Sequence, residues 1–318
     1  MGILTRTEAA RWLVEGDSFC ILTHRRPDGD TVGSAAALCL GLQAMGKQAV
    51  VLENPDLTPR FAPYLANLTV PQVPERAVLI TVDVASPNML PLEHQALVGS
   101  IALRIDHHGA SASFTDMELV DPQAAACGEI IHDILQELKV PLDASIGQAL
   151  YVAVSTDTGC FRYANTTAHT FLVASACAAS GADLFSVNSE LFETQRLEKL
   201  RLQSWLVEHI RFLAGGRLAI CAIPRAVEEQ LGVNEDDMEN ISSFPRSIAG
   251  VEMSATLRQT KDGLVKISLR AIPGYDAAAI CAKFGGGGHK GAAGCTIRLP
   301  LAEAAARLEA AMLEDQAR

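Results

Sequence analysis

The sequence predicts an α/β protein of two domains, the first of which is built on a mainly parallel sheet. The chain has 318 residues and 49% of them are apolar, which is enough for two domains with separate cores. Short apolar runs typical of buried strands alternate with longer helical patterns, the order in which a parallel sheet is assembled. Clusters of acidic residues follow several of these segments, and ligands of such sheets bind beyond the carboxyl ends of the strands.

The N-terminal part alternates between predicted helices and strands. Thr5-Arg6-Thr7-Glu8 has the pattern of a capping box and opens a first helix that reaches Glu15. Apolar runs predict strands at residues 18–23, 48–52, 77–82 and 101–105. Further helices are predicted at residues 30–45, 127–139, 145–155 and 167–179. Together these elements make up a predicted catalytic domain, residues 1–190.

A charged, helix-like stretch at residues 191–213 separates this part from a second α/β unit. It ends in Gly215-Gly216 and predicts a helical linker, residues 191–214, followed by a smaller domain at residues 215–318. Strands are predicted in this domain at residues 217–223, 251–258, 264–270 and 295–299, and helices at 275–283 and 301–314. Four glycines at residues 285–288 predict a loop before the last strand.

Four acidic clusters are the strongest indication of chemistry. They are His24-Arg25-Arg26-Pro27-Asp28-Gly29-Asp30, Asp83, Asp106-His107-His108 and Asp157. Three follow predicted strands and the fourth follows a predicted helix, so they can converge although they are far apart in sequence. Carboxylates mixed with imidazoles suit a pair of divalent cations, and metal pairs are a common means of hydrolysing phosphate esters. Each cluster alone has a plainer explanation, because Asp28 could simply cap a helix and Asp83 could lie in a surface turn.

Candidate anion-binding residues lie in both predicted domains. The second domain carries a glycine loop with two adjacent donors, at Gly286, Gly287, Gly288, His289 and Lys290. Backbone N–H groups of such a loop are open to an anion, although the spacing of a phosphate-binding Walker loop is absent and a flexible hinge is the alternative. In the first domain, Arg162 lies shortly after Asp157 and is a candidate contact for a substrate phosphate.

The charge distribution argues against a long nucleic acid as the ligand. The net charge of the chain is −11, whereas proteins that bind long nucleic acids through their phosphates are usually basic. Residues 245–298 hold eight basic and three acidic side chains, a local net charge of +5. An acidic body with one basic segment suits a small anionic ligand better than a long duplex.

The remaining composition predicts a soluble, cytoplasmic protein without a membrane partner. The eight cysteines include no CxxC pair, which favours reduced and buried thiols over a zinc-thiolate site. The N-terminus lacks the apolar core of a signal peptide, and the longest apolar runs are too short to span a bilayer.

Five motifs together resemble those of the DHH phosphoesterases that carry a C-terminal DHHA1 domain. The segment HRRPDGDTVGS is similar to their first motif, Asp83 to the second, Asp106-His107-His108 to the third and Ser155-Thr156-Asp157-Thr158-Gly159 to the fourth. Phe284-Gly285-Gly286-Gly287-Gly288-His289 with Gly291-Ala292-Ala293-Gly294 is similar to the DHHA1 signature. The resemblance covers nearly the whole chain and looks closest to the bacterial nanoRNase/pAp-phosphatase (NrnA-like) branch. It implies a DHH domain and a smaller DHHA1 domain, with the active site in the cleft between them.

The resemblance also implies a role for each motif residue. One metal would be bound by His24 and Asp28, the other by Asp30, His107 and Asp157, with Asp83 as the bridge between them. Asp106 would orient His107, and His108 would lie beside the reacting phosphate as an electrophile or general acid. The implied catalytic residues are therefore Asp83, Asp106 and His108. Arg270 would hold a substrate phosphate together with the glycine loop. The family usually uses two Mn²⁺ ions, and a ligand set of oxygen and nitrogen without thiolate also suits other divalent metals.

The reaction implied by the resemblance is hydrolysis of short oligoribonucleotides to mononucleotides, and of 3′-phosphoadenosine 5′-phosphate (pAp) to AMP. Two alternatives stay open. One is a cyclic di-AMP phosphodiesterase, since related DHH–DHHA1 proteins open that ring; the other is a nucleotide-binding sensor without catalysis, against which the intact set of candidate ligands argues. Related proteins are often dimers, so a homodimer is a further expectation.

Overall fold

Two separate β-sheets organise the chain, each within its own unit. The computed structural model describes residues 2–109, 113–238 and 240–316. The chain divides into the two units between Thr194 and Gln195, and each unit has its own hydrophobic core. The predicted α/β class, a mainly parallel sheet followed by a second and smaller α/β unit, is confirmed. The predicted ranges of the catalytic domain (1–190), the linker (191–214) and the second domain (215–318) stay a proposal.

All pairs of neighbouring strands in the first sheet are parallel. The strands are β1 (Gly2–Ile3), β2 (Ser18–Leu22), β3 (Gln48–Leu52), β4 (Thr69–Val70), β5 (Val78–Val82), β6 (Ile101–Asp106) and β7 (Met117–Val120). Their order across the sheet is β1-β7-β6-β5-β2-β3-β4. The four predicted strands correspond to β2, β3, β5 and β6, which lie next to one another at its centre. The other three were not predicted, because strands of two to four residues show no alternation of polar and apolar positions.

Helices pack against this sheet and bury its apolar side chains. They are α1 (Arg6–Glu15), α2 (Gly29–Ala44), α3 (Cys127–Glu137), α4 (Ala144–Asp157), α5 (Ala168–Ala179) and α6 (Leu184–Asn188). The capping box predicted for α1 is present: the hydroxyl of Thr5 accepts from the Glu8 N–H, and the Glu8 carboxylate accepts from the Thr5 N–H at 2.8 Å.

Helices α2 and α4 approach closely enough that only glycine fits at their contact. A β-carbon at Gly33 would lie 2.3 Å from the carbonyl oxygen of Ala149 and 2.6 Å from the amide nitrogen of Ala153. Both are backbone atoms, which cannot turn aside as a side chain can. This contact fixes the distance between the two helices, and each of them carries candidate metal ligands.

The second unit is built on a mixed six-stranded sheet. Its strands are β8 (Arg211–Leu213), β9 (Leu218–Ile223), β10 (Met253–Gln259), β11 (Val265–Ala271), β12 (Gly287–His289) and β13 (Ala292–Ile297), in the order β12-β13-β11-β10-β9-β8. Only β9 and β10 pair in parallel. The helices are α7 (Leu197–His209), α8 (Arg225–Leu231), α9 (Ala277–Ala282) and α10 (Leu301–Gln316). Within the described ranges, no helix of either unit combines the length and the apolar character needed to cross a bilayer.

Two predictions for this part of the chain were wrong. The single helix predicted at 191–213 is interrupted, since Thr194 and Arg196 have extended backbone, and α7 covers only Leu197–His209. Leu202 and Leu206 on α7 are fully buried in a cluster with residues of the second unit. The predicted glycine loop includes a short strand, β12, which pairs antiparallel with β13.

Candidate metal centre

The predicted metal ligands meet at the carboxyl edge of the first sheet. Strands β6, β5 and β2 are neighbours, and their carboxyl ends lead shortly into His107, Asp83 and His24. Two further ligands come from helix ends, because α2 begins just after Asp28 and α4 ends at Asp157. The parallel topology therefore brings side chains that are far apart in sequence to one place.

A first group of donors consists of His24, Asp28 and Asp83. His24 Nε2 lies 3.5 Å from Asp28 Oδ1 and 3.5 Å from Asp83 Oδ2. His24 Nδ1 lies 2.9 Å from the carbonyl oxygen of Arg25, and a proton on Nδ1 leaves the lone pair of Nε2 facing the two carboxylates. Asp28 also caps α2 by accepting a hydrogen bond from the N–H of Asp30 at 3.1 Å. The same carboxylate can thus cap the helix and face a cation.

A second group surrounds His107. Its Nε2 lies 3.7 Å from Asp30 Oδ2, 3.5 Å from Asp83 Oδ1 and 3.6 Å from Asp157 Oδ2. Its Nδ1 lies 3.2 Å from the carbonyl oxygen of Ala124, which turns Nε2 towards the carboxylates. Asp83 belongs to both groups, with Oδ2 towards His24 and Oδ1 towards His107.

Asp83 is held in an unusual backbone conformation between the two groups. It is 2% exposed and its φ of 57° lies in the left-handed region, which costs a residue with a side chain about 1 kcal/mol. Its N–H donates to the carbonyl oxygen of Ile105 at 2.9 Å. Among the described residues, none donates a hydrogen bond to its buried Oδ1. A buried carboxylate oxygen without a donor is costly unless a cation contacts it.

Asp30 is anchored by the first turn of α3. Its Oδ2 accepts from the Cys127 N–H at 2.7 Å, and its Oδ1 accepts from the Gly128 N–H at 3.0 Å and the Ser34 hydroxyl at 3.0 Å. These N–H groups have no partner inside their own helix, and the helix dipole favours a negative charge beside them. The carboxylate is therefore fixed in place before any ion arrives.

Asp106 is a fully buried carboxylate that positions the two histidines after it. Its Oδ1 accepts from the N–H of His107 at 2.8 Å and lies 2.9 Å from His108 Nδ1. Its Oδ2 pairs with the guanidinium of Arg104, which is itself fully buried. Burial alone would raise the pKa of Asp106, but His108 and Arg104 hold it below 3.8. The sequence analysis did not include Arg104 in the site, although an arginine inside the apolar run that forms β6 could have indicated a buried partner for a nearby carboxylate.

The carboxylates of the centre repel one another strongly. Burial and the neighbouring charges of Asp83 and Asp157 raise the pKa of Asp30 well above 3.8, and burial is the main reason that the pKa of Asp157 rises to about 6. Burial opposes the charged form of His107, yet the surrounding carboxylates raise its pKa to about 10. Desolvation likewise works against His24, whose pKa Asp28 and Asp83 nevertheless raise well above 6.5. Positive charge is therefore strongly favoured at this place.

The donor set fits a pair of divalent cations. One ligand atom from each of His24, Asp28 and Asp83 lies within 4.8 Å of the others, and the same holds for Asp30, His107 and Asp157. The donors are carboxylate oxygens and imidazole nitrogens, which suit Mn²⁺ and its first-row neighbours. The thiol of Cys127 does not join them and contacts the carbonyl oxygen of Ile105 at 3.5 Å.

The predicted substrate contacts come from segments of the chain other than those that carry the candidate metal ligands. Arg162 is exposed in the segment after α4, where its Nε donates to the carbonyl oxygen of Gly159 at 2.6 Å. In the second unit, Arg270 on β11 lines a cavity of about 230 Å³ with Arg246 and Gly291.

The glycine segment of the second unit makes a tight hairpin. A β-carbon at Gly286 would lie 2.3 Å from the carbonyl oxygen of Gly294, and Gly288 has a φ of 140° that disfavours side chains. Gly287 and His289 are exposed on β12. These glycines are needed for the backbone path itself, and their contact with a substrate stays a prediction.

Two family domains match the chain in the expected order. The N-terminal domain of the DHH family matches residues 18–154, and the DHHA1 domain matches residues 215–314. The first match runs from β2 into α4 and includes every candidate ligand except Asp157, and the second covers most of the second unit.

Similar proteins and a similar structure agree with these matches. The bifunctional oligoribonuclease and PAP phosphatase NrnA of Thermus thermophilus is 33% identical over 96% of this chain and 92% of its own length. The cyclic-di-AMP phosphodiesterase GdpP of Geobacillus thermodenitrificans is 25% identical over 87% of this chain, which spans 44% of that protein.

An exopolyphosphatase-related protein from Bacteroides fragilis has the same fold, with a TM-score of 0.84 at 22% identity over 97% of this chain and 96% of that one. The chain therefore belongs to the DHH family, as a DHH–DHHA1 phosphoesterase of the NrnA-like branch.

Proposed function

We propose that the protein is a manganese-dependent phosphodiesterase and phosphatase that hydrolyses short oligoribonucleotides and pAp. The observation that carries the proposal is Asp83, whose two oxygens face two separate groups of donors. His24 and Asp28 would hold one ion and Asp30, His107 and Asp157 the other, with Asp83 shared. When bound, such an ion pair lowers the pKa of a water molecule and polarises the phosphate oxygens.

The residues around the ions would orient the phosphate and move a proton. His108 is partly exposed beside Asp83, with its Nδ1 3.4 Å from Asp83 Oδ1. The contact with Asp106 raises the pKa of His108 above 6.5, and Asp106 Oδ1 accepts the hydrogen bond of the protonated Nδ1. We assign to Nε2 of the imidazolium the donation of a proton to a phosphate oxygen or to the leaving group, as a general acid does.

The substrate assignment is supported by the relatives and by the charge. The Thermus protein is named for oligoribonuclease and PAP phosphatase activities and aligns along nearly its whole length. A net charge of −11 disfavours long polyanions and leaves short ones as substrates. We assign the remote contacts with the substrate to Arg162 and, in the second unit, to Arg270, Gly286, Gly287, Gly288 and His289. Contacts of this kind position a short substrate for attack.

The proposal is tested by comparing three substrates in one assay. EDTA-treated protein is supplied with Mn²⁺ and given pApA, pAp or cyclic di-AMP, and the products are separated by chromatography. We expect AMP from pApA and pAp with Mn²⁺ present and none without it, with cyclic di-AMP cleaved more slowly. Parallel reactions with Co²⁺, Zn²⁺ and Mg²⁺ identify the metal. If Mn²⁺ produces no AMP from either linear substrate, the proposed function is wrong.

A second candidate is cyclic di-AMP hydrolysis, which the similarity to the Geobacillus protein favours. Faster cleavage of cyclic di-AMP than of pApA would establish this candidate instead. Binding of all three nucleotides without turnover would point to a sensor.

We also infer that the protein acts in the cytoplasm, and the eight free cysteines, seven of them buried, support this. A homodimer remains a proposal that sedimentation can test.

A further inference from the structure

A second group of possible metal ligands lies outside the centre, where helices α3 and α5 meet. It consists of His132 and Asp133 on α3 and His169 on the first turn of α5, and is called here the α3–α5 cluster. One nitrogen from each histidine and one carboxylate oxygen lie within 4.8 Å of one another. Asp133 Oδ1 faces both rings, at 3.1 Å from His132 Nδ1 and 3.1 Å from His169 Nε2.

The contact between His169 and Asp133 is close without being a hydrogen bond. His169 Nε2 is buried, and among the described residues it has no hydrogen-bond partner despite the 3.1 Å approach. His132 Nε2 is likewise buried without such a partner in the described part of the chain. Imidazole nitrogens in this situation usually find a donor, an acceptor or an ion. His169 Nε2 and His132 Nδ1 both lie beside Asp133 Oδ1, and the unsatisfied His169 Nε2 indicates a missing ligand at this place.

The surroundings leave the cluster with a negative charge for a cation to neutralise. Arg6 lies against Asp133 Oδ2, with its Nε at 2.8 Å, and also pairs with Asp121 at 2.7 Å. One guanidinium thus meets two carboxylates, and Asp133 Oδ1 remains directed towards the histidines.

We propose that the α3–α5 cluster binds one transition-metal ion, separate from the catalytic pair. Two imidazoles and one carboxylate form a donor set that suits Zn²⁺, Co²⁺, Ni²⁺ or Cu²⁺ better than Mg²⁺ or Ca²⁺. The side chain of His169 is 40% exposed, so that an ion can enter from solvent and keep a water molecule as a further ligand.

An ion at this place would join the start of α5 to α3. The segment at residues 158–167 connects Asp157 of the metal centre to α5, and Asn165 already ties it down by donating to the carbonyl oxygens of Ala125 at 3.0 Å and Asp157 at 3.1 Å. Fixing the far end of this segment would stabilise the first unit. The proposed ion would therefore have a structural role. Its occupancy would depend on the concentration of zinc and similar transition metals.

The test counts bound metal and does not depend on turnover. Wild type and His169→Ala are stripped with EDTA, loaded with Zn²⁺, passed over a desalting column and analysed for zinc per chain. The matched control is His209→Ala, an exposed histidine on α7 in the second unit. We expect His169→Ala to bind one equivalent fewer than wild type, and His209→Ala to equal wild type. Equal zinc contents in His169→Ala and wild type would overturn the proposal.

A second measurement separates ligation from folding. Adding Zn²⁺ to metal-free protein should raise the melting temperature of His169→Ala less than that of wild type or His209→Ala, because ligand binding stabilises the folded state by mass action. Identical shifts in all three proteins would contradict a site at the cluster. Hydrolysis by His169→Ala with Mn²⁺ should stay within about two-fold of wild type, since the cluster holds no ligand of the catalytic pair. The zinc content can be measured whether or not the protein hydrolyses its proposed substrates. Failure of the metal-site proposal can therefore be distinguished from failure of the proposed function.

Discussion

The two oxygens of Asp83 face different imidazoles, and no other carboxylate in the described part of the centre contacts both His24 and His107. The residue adopts a left-handed backbone conformation with an Oδ1 that no described residue satisfies, and both features cost free energy without a bound cation. At this scale the proposed function depends on one carboxylate that faces two groups of donors.

Asp83→Asn should abolish Mn²⁺-dependent turnover and leave the fold intact. An amide has no negative charge to share between two cations, so we expect a loss of activity larger than the roughly 10–100-fold cost of losing an outer partner of a metal ligand. Steady-state hydrolysis of pApA measures the effect, and far-ultraviolet circular dichroism checks the fold. Activity close to that of wild type would refute the shared role of Asp83.

Metal uptake should release protons and strengthen as the pH rises. The pKa of His107 is raised to about 10 and that of His24 lies well above 6.5, so without metal both imidazoles are protonated near neutral pH. A metal ion binds the neutral imidazole, which means that protons must leave as it enters. The Mn²⁺ dissociation constant should therefore decrease as the pH is raised from about 6 to about 8. Titration calorimetry in buffers of different ionisation enthalpy counts the protons, and an affinity that is independent of pH would contradict this.

The six candidate ligands could be named from sequence because their motifs resemble those of a known family, and their positions near strand and helix ends allowed them to converge. The partners that hold them were not predictable. Arg104 is fully buried beneath Asp106, and the N–H groups of α3 that bind Asp30 belong to a segment about a hundred residues away. Such contacts depend on how elements pack, which no local pattern contains.

Secondary-structure elements position these residues through their ends and their crossings. The carboxyl ends of β2, β5 and β6 deliver ligands from the sheet, while α2 and α4 deliver them from opposite helix termini. Strand β3 was predicted with its observed bounds, Gln48–Leu52, because its apolar run is flanked by polar residues. The long helix predicted at 191–213 failed, since helical periodicity does not show that Thr194 and Arg196 are extended.

The crossing of α2 and α4 gives a prediction at this scale. In Gly33→Ala the new β-carbon would collide with the backbone of Ala149 and Ala153, so the helices must separate. Overpacking of this kind costs about 1–3 kcal/mol. Because α4 carries Asp157, Mn²⁺ affinity should also fall. Urea unfolding and Mn²⁺ titration measure the two effects.

Gly41→Ala is the matched control on the same helix. The three atoms nearest to its β-carbon would all belong to the side chain of Leu135, which at 2.3 Å can turn aside as backbone cannot. We expect Mn²⁺ affinity close to that of wild type. Equal losses of affinity in the two variants would show that the α2–α4 distance does not control the centre.

The whole molecule combines an acidic first unit with a second unit whose basic segment spans residues 245–298. The division into two α/β units was predictable from the order of the elements. The place of division was not, because it depends on the burial of Leu202 and Leu206 of α7 against the second unit. Net charge, by contrast, is counted directly from the sequence.

Substrate length gives the prediction at this scale. A net charge of −11 repels a long polyanion more strongly than a short one, so kcat/KM should fall as the RNA is lengthened from two nucleotides to about twenty. Because salt screens this repulsion, the difference should narrow at higher ionic strength. The measurement compares labelled RNAs of graded length at two salt concentrations. A rate that rises with length would indicate a basic groove of the kind that binds long strands.

The candidate ligands of the catalytic ion pair all lie between His24 and Asp157, in the half of the chain that leaves the ribosome first. Since N-terminal domains generally fold first during synthesis, the ions could enter while residues beyond Thr194 are still being translated. Metal binding would then help the nascent chain to fold, because its free energy adds to that of the folded state. The metal content of a cell at the moment of translation, as well as the affinity of the finished enzyme, would decide which ion the centre carries.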